Sequence, residues 1–459
     1  MTSENRSPQR NFGIASLFTL TTFVFLLVGC DAQQVRDSLS GPDDEPVTVR
    51  YVSGMLSSSP DESAPEDAAI ERFSENVPGI TVDRQQQQHG LSHYLSESPP
   101  VDVIMWYDSY ELRHVARQNL LSDLTHIWAD NDLVEAYGRQ FREVSRVDGT
   151  YRFVPAGFSW TGIYYNKEVF ERYGLVPAET WEEFVKICDT LLANGETPLS
   201  VAGKDPFVSY YWFSYINTRL NGPSFHRALI EGEESYNDER IALVWETWLT
   251  LFRRGYFIET PGQIDSVGSM NALIRGDAAS PLTQKKAVMA LAPHFIAGQL
   301  SPEYASELDI FRFPQMNPNS SVGEISIVFG YVIPIGAAYP QEAEDFVAYM
   351  GSAEAQSLQM GRISEDPANE GFVPIHRDVE RSLLSAAARK GGEIVRGADE
   401  ALPALALALP ASMLMGFNDV LERVFHELET EDSEIDISEI QSILEEARQQ
   451  AFQNGEYRQ

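Results

Sequence analysis

Two cysteines, Cys30 and Cys188, are all that 459 residues carry. That excludes a disulfide-stapled domain and a cysteine-rich zinc site. Basic side chains are scarce as well: 34 Lys and Arg stand against 68 Asp and Glu, a formal net charge of −34. Such a surface repels polyanions and excludes nucleic acid as a partner. The eight histidines are scattered. His89 and His93 are four apart, but Gly90 between them favours a surface loop over a helical metal pair. No Gly-x-Ser-x-Gly, His-Glu-x-x-His or Walker A pattern occurs. With 68 acidic residues any two carboxylates could be nominated as a hydrolase pair, so their presence carries no information. No enzyme, metal or cofactor is expected. No internal repeat is visible.

What is present begins with an address. Arg6 and Arg10 precede an apolar run from Phe12 to Val28 that closes on Leu27-Val28-Gly29-Cys30. A basic flank and a run this short fit a signal peptide. The closing tetrad resembles the bacterial lipobox, which implies that Cys30 becomes the lipidated first residue at the outer face of the cell membrane. Residues 31–46, polar with Gly41, Pro42 and Pro46, read as a tether. The remainder is too long for one core and has ample apolar material for two.

Along that remainder, strand and helix alternate. Val47 to Val52 is β-branched and alternating, a helix is predicted near 65–75, Ile80 to Val82 is a strand, and Val101 to Trp106 is a buried strand followed by a helix over 109–118. Further strands are predicted at 151–155, 162–167, 287–291 and 325–333, and helices near 206–220, 239–254, 341–350 and 353–360. Thr180-x-x-Glu183 is a capping box that opens a helix ending near Gly195. Cys188 falls on that helix's apolar face with Trp181, Phe184, Val185, Leu191 and Leu192, so it reads as core. The tail from 411 to 453 is helical and acidic. This alternation predicts α/β lobes whose ligands bind beyond the carboxyl ends of the strands.

Several landmarks stand in a fixed order. They are Phe73 to Val82 with its Pro78-Gly79 break, Val101-Asp102-Val103-Ile104 with Trp106, and above all Tyr151 to Gly195. The last holds Tyr164-Tyr165-Asn166-Lys167, Gly174-Leu175, Pro177 and Thr180-Trp181-Glu182-Glu183-Phe184. Ala287-Val288-Met289, Phe313-Pro314 and Gln341 to Gln356 follow. Over about residues 47–425 the chain resembles the extracellular solute-binding proteins of ABC importers, the family that includes maltose-binding protein. The resemblance implies a two-lobed periplasmic-binding-protein fold, with mainly parallel sheets flanked by helices and joined by a multi-crossing hinge. It implies lobe 1 over 47–157 plus 329–378 and lobe 2 over 158–328 plus 379–459. It implies a monomer that captures a small polar solute, a sugar or oligosaccharide, and delivers it to a membrane permease. Two departures stand out. Pro293-His294-Phe295 replaces the family's usual aromatic, and the segment 277–286 is longer than is common.

A sugar needs aromatic faces for its C–H surfaces and carboxylates or amides for its hydroxyls. Trp106-Tyr107-Asp108 supplies both at a strand end, against a reading in which Trp106 is core and Asp108 caps the next helix. Phe158 and Trp160 lie at the first crossing, facing the cleft or packing the hinge. In Tyr210-Tyr211-Trp212-Phe213 the four rings cannot share one helix face; Tyr211 and Trp212 are the nominees. His294, Phe329 and Tyr331, Ser57 in a serine-rich loop, and Met413 complete the candidate set. The alternatives are a glycerol-phosphate ligand, which would call for Arg or Lys at the cleft, and a secreted carbohydrate-active enzyme.

Overall fold

A computed structural model describes residues 46–54, 66–274, 286–300, 302–363, 373–430 and 435–458. Cys30 and Ser57 lie outside the described residues. Two sheets organise the chain. The larger uses β1 (Val47–Ser53), β2 (Ile80–Gln86), β3 (Val103–Tyr107), β4 (Val154–Phe158), β10 (Val328–Val332) and β11 (Val373–Pro374), in the order β11-β4-β10-β3-β1-β2. The smaller uses β5 (Thr161–Asn166), β6 (Leu199–Ser200), β7 (Met289–Pro293) and β8 (Leu308–Phe311), in the order β8-β5-β7-β6. A two-stranded ladder, β9 (Gly323–Ile325) with β12 (Glu400–Leu402), sits beside the crossings.

Strand direction explains where a ligand can bind. β1 is parallel to β2 and β3, and β10 lies antiparallel between β3 and β4. So β1 to β4 all run one way, and β10 and β11 run back. In the smaller sheet β6, β7 and β8 share a direction and β5 opposes them. Most strands thus share a direction, but the expected mainly parallel pairing is not what the sheets show: three of the five neighbouring pairs in the larger sheet and two of the three in the smaller are antiparallel. The cause is topological: β5 and β10 each enter a sheet straight from a crossing, so they run against strands that end there. In both sheets the majority strands therefore point their carboxyl ends at the hinge.

The chain crosses at Ser159-Trp160 and again at Ser326-Ile327. The two crossings are stitched together: Ser159 N donates to Ile327 O (2.8 Å), Ile327 N to Ser159 Oγ (3.0 Å) and Ser326 Oγ to Ser159 O (2.6 Å). Ser326 N donates to Leu402 O (2.8 Å), tying in the end of β12. Gly330 makes this packing possible. A Cβ there would stand 2.2 Å from Val154 O, at the point where β10 shifts register against β4.

Local sequence accounts for the helices that frame the strands. Ser109 caps Tyr110–Arg117 by accepting from Leu112 N (3.2 Å), so the cap is Ser109 and not Asp108. The capping box is present: Glu183 N donates to Thr180 Oγ1 (3.3 Å) and Glu183 accepts from Thr180 N (3.1 Å), opening Trp181–Ala193. Cys188 is buried on that helix with Phe184, Ile187 and Leu191, whereas Leu192 is exposed. The acidic tail forms two helices, Ala411–Leu428 and Ile437–Gln453, packed on each other. Inside the smaller lobe a fully buried ion pair, Arg219 with Glu324 (2.6 Å), anchors β9 just before the second crossing. Arg219 also donates to the carbonyls of Phe313 (3.2 Å) and Gly323. Glu324 further accepts from Tyr215 Oη (3.1 Å) and meets Arg312 Nε (3.1 Å).

Candidate functional site

On the larger sheet, the carboxyl ends of β1, β2 and β3 come together at Ser53-Gly54, Gln87 and Tyr107. Tyr107 Oη donates to Gly54 O (3.2 Å), and Gln87 N donates to Ser53 O (2.9 Å). Phe329 opposes Tyr107 in register and meets it edge-on, with ring centroids 6.4 Å apart. Both rings are half-buried. Asp108 follows directly. Its N–H donates to Val328 O at the hinge (2.8 Å), and its carboxylate accepts from Arg113 Nε (2.9 Å) and pairs ionically with Nη2 (2.7 Å). Past β2, Tyr94 Oη accepts from the N–H groups of Gln88 (2.8 Å) and His89 (3.1 Å), which fixes that loop.

On the smaller sheet, the corresponding ends are Ser200 and Pro293. Beyond them stand Phe207, at the start of the helix Pro206–Asn221, and Phe295. The two rings are half-buried with centroids 5.9 Å apart, and Phe207 meets Tyr211 edge-on at 5.7 Å. Sequence reasoning missed both. Phe295 is adjacent to the nominated His294, and Phe207 lies one helical turn before the nominated Tyr211.

The other nominees divide into two groups. Trp160 and His294 are brought together: His294 N donates to Trp160 O (3.0 Å) and the rings stack at 4.4 Å. Both are nearly sealed, and burial pushes the His294 imidazole down to about 3, so it stays neutral near pH 7. They border an open recess of about 400 Å³ with Tyr164, Lys167 and Leu308. The remaining group is core. Phe158 packs on Phe141 (4.8 Å) and under the Arg396 guanidinium. Trp212 stands edge-on to Phe257 and Phe313. Tyr331 shares a face with Phe329 as the alternation predicts, but it lies deeper, between Tyr51 and Phe346. Met413 is on the buried face of its helix. Tyr211 is almost wholly buried, because the helix 206–221 is packed on nearly every side, its polar residues Ser209, Asn217 and Arg219 included. Trp106 is also nearly buried, opposite Gly330.

Opposed strand ends, paired half-exposed rings and a hinge crossed several times define a receptor that closes around a small solute. The family of bacterial extracellular solute-binding proteins matches over residues 57–357, and the chain belongs to it. Among curated relatives, an ABC transporter extracellular-binding protein of Pyrococcus horikoshii is 22% identical over 383 residues, covering 78% of this chain and 79% of the relative. The multiple sugar-binding protein of Streptococcus mutans is 24% identical, covering 75% and 79%. Among solved structures, the solute receptor AcbH, described as preferring β-D-galactopyranose, superposes with a TM-score of 0.75 at 21% identity, covering 89% of this chain and 98% of that one. RafE of Streptococcus pneumoniae gives 0.70 at 18% identity, covering 89% and 100%.

Proposed function

We propose that this protein captures a sugar or short oligosaccharide between its two lobes and delivers it to an ABC permease, acting by binding without turnover. The observation that carries the reading is the pair of aromatic platforms. Tyr107 with Phe329 stands at the strand ends of one sheet, and Phe207 with Phe295 stands at those of the other. Rings of this kind stack on the C–H faces of a sugar, whereas the carboxylate of Asp108 is buried against Arg113. The lobes divide near residues 157, 328 and 378, and closure swings the platforms together. Cys30 carries the lipid that holds the receptor outside the cytoplasmic membrane. The names of the relatives support a carbohydrate: multiple sugars for the Streptococcus mutans protein, galactose for AcbH and raffinose for RafE. Against a phosphorylated ligand stands the engagement of Arg113, next to the end of β3, by Asp108.

The test is a thermal-shift and tryptophan-fluorescence panel of galactose, raffinose, maltose, chitin oligosaccharides, polyols and glycerophosphodiesters. A saturating sugar should raise Tm by several degrees. Silence across the sugars, or a response to the phosphodiesters alone, overturns the assignment.

A further inference from the structure

Two residues of the helix Tyr110–Arg117 reach from the larger lobe to the smaller one. Leu112, Val115 and Ala116 of this helix are buried in the larger lobe's core. Tyr110, Arg113 and Arg117 share another face, at helical spacing, and line a crevice with Ile230, Glu231 and Tyr457 of the smaller lobe. Across it Tyr110 Oη donates to the main-chain carbonyl of Glu456 (2.9 Å), and Arg117 Nη2 donates to the Glu231 carboxylate (3.3 Å). The groups that receive these bonds are held firmly. Tyr457 is buried in the smaller lobe's core, and its hydroxyl donates to Ile230 O (2.8 Å). Its ring lies against Gly232, where a Cβ would stand 2.6 Å from it. The Glu456 carboxylate accepts from Ser412 N (3.2 Å), and Asn454 Nδ2 donates to Ser412 Oγ (3.0 Å). A third cross-lobe pair, Arg458 with Asp148 (3.1 Å), is more than half exposed and adds little. Both ends of this contact are built on elements that carry the aromatic platforms. Tyr110 follows Tyr107 by three residues. Ser412 lies in the first turn of Ala411–Leu428, whose Phe417 meets Tyr210 edge-on (5.8 Å), one helical turn from Phe207. A motion that parts Tyr107 from Phe207 therefore pulls Tyr110 away from Glu456.

We propose that Tyr110 and Arg117 are positioning residues for solute capture: bonded from lobe to lobe, they hold the two platforms within reach of one solute, and wider opening of the groove must break them. Neither residue is required to touch the sugar. The two bonds lie about 10 Å apart along the helix, so together they resist twisting as well as opening. Arg117 and Glu231 are 25% and 29% exposed, so their attraction is screened less than that of a fully exposed pair. The link to a sugar rests on the groove proposed above; the hold between the lobes does not.

Spin labels on Val176→Cys and Ile335→Cys, exposed positions of the smaller and the larger lobe, report the lobe separation of the full chain without sugar by double electron–electron resonance. Cys188 is buried and does not compete for the label. Affinity for raffinose and galactose is followed by tryptophan fluorescence. Arg117→Glu sets a like charge against Glu231. It should lengthen and broaden the distance distribution and raise Kd about fivefold. Glu231→Arg should do the same. Arg117→Glu combined with Glu231→Arg should restore the distances and bring Kd to within about twofold of wild type, a rescue that lost packing would not show. Tyr110→Phe keeps the ring, removes the hydroxyl and should broaden the distribution. About 1 M NaCl, which cuts the screening length to about 3 Å, should loosen the wild type and relieve Arg117→Glu. A wild-type distribution in Arg117→Glu, no recovery in the charge swap, or tighter sugar binding in Arg117→Glu overturns the proposal. The expected distances in a chain that binds neither raffinose, galactose nor any other sugar refute the carbohydrate reading and leave the hold standing. Distances that ignore every substitution in a chain that binds raffinose do the reverse.

Discussion

Arg219→Met would remove one partner from a pair whose side chains are both 0% exposed. The guanidinium makes three bonds there: to Glu324, and to the carbonyls of Phe313 and Gly323. Breaking a buried pair from one side costs about 3–5 kcal/mol, because the survivor keeps a charge without its partner. Here Glu324 retains Arg312 Nε at 3.1 Å and the Tyr215 hydroxyl at 3.1 Å, so the expected loss is at the lower end, about 3 kcal/mol. Glu324→Gln should cost a similar amount, since it leaves Arg219 charged and buried. The double change Arg219→Met with Glu324→Leu should cost less than the two single costs added, with a coupling of at least about 2 kcal/mol. Urea unfolding followed by far-UV dichroism measures all three, with the midpoint shifting and the slope unchanged. If Arg219→Met loses less than about 1 kcal/mol, or the costs simply add, the pair is not what anchors β9.

Tyr107→Ala and Phe207→Ala should each weaken sugar binding by about 1–2 kcal/mol, roughly tenfold in Kd, by titration calorimetry, whereas Trp212→Phe should alter stability and leave affinity within twofold. His226 and His294 are both pushed by burial to about 3. The unfolded chain takes up their protons as pH falls below about 6.5 and the folded chain does not, so stability present above that value declines as pH falls from there toward 3. The slope should reach about 1.4 kcal/mol per pH unit for each histidine, and His226→Gln should flatten it in pH-dependent urea midpoints. Gly391→Ala would drive a Cβ to 2.3 Å from the Trp160 indole, and should cost about 1–3 kcal/mol with a shift in tryptophan emission.

Where a pattern is local, the residues announced it. The capping box at Thr180 and Glu183, the core role of Cys188, and the strands opening at Val47 and Ile80 are all fixed by neighbours within a few positions. The strand ends were legible too, since Trp106-Tyr107-Asp108 mark the close of β3. Depth along a strand was not. Phe329 and Tyr331 read alike by alternation, yet the helix Pro340–Met350 covers one and leaves the other at the edge. Nor does an aromatic run say which ring escapes the core: the helix over 206–221 buries Trp212 and keeps Phe207 half-open because of what packs around it. The direction of β5 and β10 likewise depends on where the chain crosses between sheets, a choice made by tertiary structure.

The serine stitching at the crossings restricts the receptor more than a single flexible linker would. With Ser159, Ser326, Ile327 and Leu402 bonded side by side, a rotation about the line of these bonds would keep them, whereas a slide of one sheet past the other would break them. Points near that line travel little and points at the mouth travel far. Under such a rotation a solute lodged deep would be gripped by small adjustments, while the outer rims would sweep through a wide arc.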